Sequence, residues 1–173
     1  MSSDPAGDGG GPGLQPSEEP TPQQAHRMMS RLWLGMLVWH VSLLGTALGF
    51  TAGGPLLDWP RAGLGLLVAA SLLVLPGFGV AGYARMQSYK RYWQGPVVLP
   101  KGYVRGNLWV FGVLDLAVTL SALAVLCSAD PRYAIPGVVA MTLEGINRPR
   151  MGPMEAGGTG GQGGAGGAGG AER

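Results

Sequence analysis

The sequence predicts an all-α integral membrane protein: four transmembrane helices in two antiparallel hairpins, between disordered N- and C-terminal tails. Three observations carry this reading. Residues 62–83 (AGLGLLVAASLLVLPGFGVAGY) hold no charged side chain, and about 22 residues at ~1.5 Å each cover the ~30 Å hydrocarbon core of a bilayer. That stretch ends in a basic and aromatic run, 85–93, which cannot enter hydrocarbon and belongs at a headgroup surface. The large apolar residues gather between positions 32 and 146, leaving both ends poor in them.

The elements follow in order. Residues 1–25 bury too little apolar surface to offset the entropy of ordering and are expected to be a disordered tail. They show no positive segment followed by an apolar one, so targeting is expected from the first span itself. A transmembrane domain follows over 26–150. Its first span, 32–51, has His40 as its only ionisable group, with Arg27 and Arg31 before it and Trp33 at its entry. Gly53, Gly54 and Pro55 end that helix, because proline lacks the backbone donor and glycine favours a turn. So short a link makes the second span, 62–83, an antiparallel neighbour. Within it, Pro76 is expected to kink the helix by freeing the carbonyl of Leu72.

A basic loop of about 25 residues then leads to the third span, 108–129, with Trp109 at its entry and Asp115 inside. Asp130, Pro131 and Arg132 break the chain again. The fourth segment, 133–147, contains Pro136 and Glu144 and falls short of the ~20 residues a crossing needs, so a re-entrant path is the alternative. Residues 151–173 form a Gly-rich low-complexity stretch, expected to be a second disordered tail.

Charge sets the direction of threading. With the basic loop at 85–105 placed in the cytoplasm, a fourth crossing leaves only Arg61 and Arg132 of the twelve Lys and Arg outside. Both termini are then cytoplasmic.

Composition excludes several functions. A net charge of +2, with no basic stripe outside the membrane flanks, is too small for a nucleic-acid footprint. The single cysteine, Cys127, permits neither an internal disulfide nor a Cys-x-x-Cys redox pair and reads as a small packing residue. His26 and His40 supply no metal or haem ligand set, and the eight methionines are scattered. No serine has a partnered base beside it, so no enzyme and no cofactor are expected.

What remains are ionisable residues at membrane depth, which are costly and mark function. Asp115 lies about 10 Å along the third span and His40 about 12 Å along the first, so both sit at nearly the same level. A His–Asp pair lining a polar path is one arrangement. Helical phase argues against it. Gly35, Ser42 and Gly49 recur every seven residues as a seam suited to helix packing, and His40 lies nearly opposite that seam. The alternative has Asp115 bonded to a hydroxyl or backbone carbonyl, fixing helix register. Glu144 sits one turn from Arg148 and is expected to pair with it or snorkel to water. Arg85, Lys90, Arg91, Trp93, Lys101 and Arg105 are candidates for contact with anionic lipid headgroups.

The functional expectation is a non-catalytic accessory subunit that packs against a larger membrane complex. The alternative is a small homo-oligomeric transporter or channel using Asp115 and His40. Partners are then membrane lipids and either other membrane subunits or further copies of the chain.

Overall fold

The computed structural model describes residues 20–155, so most of the two stretches read as tails lies outside the described residues. The fold is helical. Helix α1 (Pro22–Phe50) starts on a capping box: Thr21 Oγ1 accepts from the Gln24 amide, and the Gln24 side chain accepts from the Thr21 amide. Pro22 at the first helical position needs no partner for a missing N–H. The helix thus begins inside the stretch expected to be tail, on a Thr-Pro-Gln-Gln signal present in the sequence.

Helices α2 (Pro60–Leu72) and α3 (Phe78–Arg91) are joined by a π-turn over Leu73–Gly77. A π-turn pairs each carbonyl with the amide five residues on, which for Leu72 is Gly77. The donor missing at Pro76 is thereby bypassed, and the second segment stays one continuous helical stretch from Pro60 to Arg91, apolar along most of its length. Because α3 runs to Arg91 and α4 (Pro100–Ser128) starts with Pro100, the long basic loop shrinks to residues 92–99. Its middle is a hairpin, not an irregular turn: β1 (Trp93–Gln94) pairs antiparallel with β2 (Val97–Val98). Gly95 takes φ +57 at the first loop position, where a tight hairpin turn needs a positive angle. Helix α5 (Ile135–Ile146) follows a 3₁₀ turn at Pro131–Ala134, and a last 3₁₀ turn spans Gly152–Met154.

Three segments are long and apolar enough to cross a membrane: Pro22–Gly53, Pro60–Arg91 and Pro100–Ser128. The expected fourth span is only the 12 residues of α5, about 18 Å of helix against ~30 Å of hydrocarbon.

Helix α4 is the hub. It packs against all the other helices and supplies much of the core, including Val110, Phe111, Leu114 and Val118, each 0–1% exposed. Glycines let neighbours approach it. A Cβ on Gly102 would collide with Tyr92 Cβ, and one on Gly106 would meet Tyr89 Cε1 at 2.6 Å and Arg85 Cγ at 3.0 Å. Arg85 and Tyr89 of α3, with Tyr92 just beyond its end, therefore seat along α4, and Tyr89 stacks on Tyr103 with ring centroids 6.5 Å apart. At the far end, the amides of Leu56 and Trp59 donate to the carbonyls of Leu126 and Cys127, so the α1–α2 connection satisfies the terminal carbonyls of α4.

The small-residue seam on α1 has no packing partner among the described residues. Gly35, Ser42 and Gly49 point away from the bundle, and no atom lies within 4 Å of a Cβ built at either glycine. The buried face instead carries Ala25, Met29, His40, Leu44 and Ala47. The outer faces are apolar, with Leu34, Val38, Val68 and Leu75 all exposed.

The glycine seats predict opposite outcomes for one substitution. Gly106→Leu drives its side chain into Tyr89 and Arg85 and is expected to cost at least about 1–3 kcal/mol. Gly35→Leu, on an open surface, is expected to change stability by less than about 0.5 kcal/mol. Denaturant unfolding of the two variants in detergent checks the contrast.

Candidate functional site

The site is built from three helices that converge at one level. Gly137 of α5 sits against Ser121 of α4 and Leu44 of α1, which sets α5 antiparallel to both. About two turns further along α5, Glu144 meets His40 of α1 and Asp115 of α4 at a common height. His40 Nδ1 lies 2.8 Å from Glu144 Oε2, and His40 Nε2 lies 2.9 Å from Asp115 Oδ1. The ring thus joins two carboxylates from two other helices.

The groups differ in access. His40 and Glu144 are fully buried, whereas the Asp115 side chain is 46% exposed. Among the described residues Glu144 Oε1, also buried, has no hydrogen-bond partner. The backbone carbonyl of Glu144 accepts from Trp33 Nε1 at 3.0 Å, which anchors α5 to α1 at the residue that carries the carboxylate. Trp33, read from sequence as an interfacial anchor, thus has a positioning role.

Proton counting defines what the row can do. A neutral imidazole has one N–H and one bare nitrogen, and two ionised carboxylates offer no proton. Both short contacts are therefore hydrogen bonds only if a second proton is present, either on the ring as imidazolium or on one carboxyl. Two protons shared among three groups leave a net charge of −1. One more proton, on a carboxylate, makes the site neutral. A ring bonded on both sides can take a proton at one nitrogen and release one from the other, which is the elementary act of a proton relay.

The structure brings His40 and Asp115 together, which helical phase had argued against. It also separates the expected Glu144–Arg148 pair. Helix α5 ends at Ile146, so Arg148 lies beyond the helical register that would bring it over Glu144, whose carboxylate points inward to His40. The missed residue is Glu144 as a partner of His40. The available signal was that a carboxylate in a short apolar helix needs a buried partner. The candidate headgroup contacts gather where α3 turns into α4: Lys90, Arg91, Trp93, Lys101 and Arg105 are exposed, while Arg85 turns partly inward. Among the described residues no group of three or more His, Cys, Asp or Glu has a metal-holding arrangement. Comparison with protein-family models, curated proteins and solved structures returns no match.

Energetics follow from the burial. His40→Leu strands a fully buried Glu144 and is expected to destabilise by about 3–5 kcal/mol. Asp115→Asn keeps a hydrogen-bonding group at a half-exposed position, with an expected cost of about 1 kcal/mol or less. The double variant His40→Leu/Glu144→Leu removes both buried polar groups, so its loss should be smaller than the sum of the two single losses. Unfolding in detergent, compared across this cycle, reads the coupling.

Proposed function

We propose that this chain is a small multi-pass membrane protein, assembled with further copies of itself, in which the row Glu144–His40–Asp115 takes up and releases protons through its open end at Asp115 as one step of carrying them across the membrane. The single observation that carries the reading is the imidazole bonded at both nitrogens, midway along apolar helices, with one end of the row sealed and the other half-exposed. A structural ion pair needs neither a doubly bonded histidine nor a graded access. Assembly is supported by Asp115 itself: a half-exposed carboxylate on an apolar helix is costly against lipid and needs another chain or water over it.

In this reading the chain threads the membrane four times, with both termini on the cytoplasmic side. Support comes from how far α5 travels. The segment starts at the Ser128 end of α4, and the residues just after it line one cleft with Arg85 and Asn107 near the other end. Arg148 and Arg150 thereby join Lys90 and Lys101 at a single basic face, as the positive-inside rule requires.

The runner-up is an accessory subunit of a larger complex. The open glycines Gly35, Gly45 and Gly49 on the apolar outer face of α1 favour it, because small residues permit close helix approach in lipid. A single self-assembled species after purification in mild detergent speaks for the first reading, and stoichiometric larger partners speak for the second.

The decisive measurement is proton flux into vesicles holding the purified full-length chain and a pH-sensitive dye, under a potassium diffusion potential. Flux above that of empty vesicles is expected, reduced about tenfold or more by Glu144→Gln or Asp115→Asn, since a proton-relaying group is worth on the order of 10²–10⁴ in rate. Equal rates in protein-containing and empty vesicles would end the transport reading. For topology, single cysteines at Lys90, Arg132 and Arg150 in a Cys127→Ser background are challenged with an impermeant maleimide. In intact cells only the one at Arg132 should react.

A further inference from the structure

A second polar feature lies apart from the His40 row, at the basic end of the bundle. There a cleft of about 400 Å³ opens between the α3–α4 turn and the segment after α5. Arg85 and Tyr89 reach it from α3, and Tyr103 and Asn107 from α4. Asn147, Arg148 and Arg150 close it from the chain beyond α5. Three arginines from two distant stretches thus line one space. No aspartate or glutamate lines it, and among the described residues none of the three arginines has an ion-pair partner.

The walls are built rather than incidental. Gly106 lacks the Cβ that would collide with Tyr89 and Arg85, so both lie flat against α4. Arg85 is held by donating from Nη1 to Asn147 Oδ1 at 3.2 Å, which leaves its other N–H groups unused. Asn107 Nδ2 donates to the Tyr89 hydroxyl at 3.1 Å, so the Tyr89 proton is left to give elsewhere. Tyr103 is 1% exposed, and among the described residues its buried hydroxyl has no acceptor for its proton. The nearby Arg150 backbone N–H is itself a donor and cannot take that proton. A buried phenol left unpartnered among donors calls for an acceptor.

The geometry points to a binding site for a phosphate ester in this cleft, held by Arg85, Arg148 and Arg150 with the hydroxyls of Tyr89 and Tyr103. A carboxylate offers two oxygens in one plane, fewer than this donor set can engage. A tetrahedral phosphate presents oxygens in several directions and takes paired N–H donors from guanidinium. The cleft also has the size of a small-ligand site. Its ligand is either the headgroup of an anionic lipid or a soluble phosphate ester. This inference stands independently of the proton-relay reading.

Binding is measured on the full-length chain in neutral detergent, by calorimetry and by native mass spectrometry. The probes are dioctanoyl phosphatidic acid, glycerol 3-phosphate and inorganic phosphate, with dioctanoyl phosphatidylcholine as reference. Saturable binding of phosphatidic acid, one per chain, is expected. Arg148→Gln/Arg150→Gln should weaken it about tenfold or more, charge-assisted bonds being the strong ones. Tyr103→Phe, which keeps the ring but not the hydroxyl, should weaken it roughly threefold or more, the loss of about one hydrogen bond. Lys90→Gln/Lys101→Gln removes the same charge from the exposed surface and should change affinity by less than about twofold. Competition by glycerol 3-phosphate identifies a soluble ester as sufficient, and its failure to compete identifies the lipid. Either outcome sustains the site. It is overturned if no probe binds saturably, if Tyr103→Phe has no effect, or if the lysine control weakens binding as much as the arginine variant.

Discussion

One imidazole ring holds three helices at a common level. His40 of α1 reaches Glu144 of α5 and Asp115 of α4 through short contacts on both ring nitrogens. In an apolar surrounding no water is at hand to replace a lost partner, so burying a polar side chain is costly unless the bundle supplies one. This requirement, more than apolar matching, sets the rotation of α1. The helix could bury its small-residue face and gain close packing, yet that would leave His40 outside and Glu144 alone. It turns the other way, and Met29, Leu44 and Ala47 are buried along the same helix as the ring.

The remaining architecture depends on α4. Its 29 residues serve as the post on which α1, α5 and the α2–α3 rod are hung. Two devices make that possible. Glycines 102 and 106 admit the aromatic rings of Tyr92 and Tyr89 at contact distance, and the amides of the α1–α2 connection take up the terminal carbonyls of α4. The π-turn at Leu73–Gly77 keeps the α2–α3 rod continuous along that post through Pro76, where an ordinary helix would lose a bond. Outward-facing positions carry leucine and valine, which suits a lipid surround and contributes nothing to specificity within the bundle.

Helix α5 is short, but it ties the two polar features together. Glu144 belongs to the His40 row, and Asn147, Arg148 and Arg150 belong to the basic cleft a few residues later. The chain leaves the helix at Ile146, which releases Arg148 from the α5 face and lets it join Arg85. Ending the helix there is therefore what separates a sealed carboxylate from an arginine that local spacing would have paired with it. Met154, buried under the last 3₁₀ turn, pins the segment over the α3–α4 hairpin.

Much of the fold was written locally. Uncharged runs, proline and glycine breaks, and the placement of arginine and lysine delimit the helices, because each reflects how a short stretch meets lipid or its headgroups. The depth of His40 and Asp115 was legible for the same reason, since rise per residue is constant along a helix. The capping box at Thr21 and Gln24 was equally local and open to reading. What only the tertiary structure decided is which faces meet. A periodic seam of Gly35, Ser42 and Gly49 states that close approach is possible, but no local rule says that a partner will come. The pairing of His40 with Glu144, 104 residues away, and the gathering of Arg85 with Arg148 and Arg150 result from helix rotation and from where α5 stops. Those are settled by how the helices pair their buried polar groups together, a condition on the whole bundle that no single segment contains.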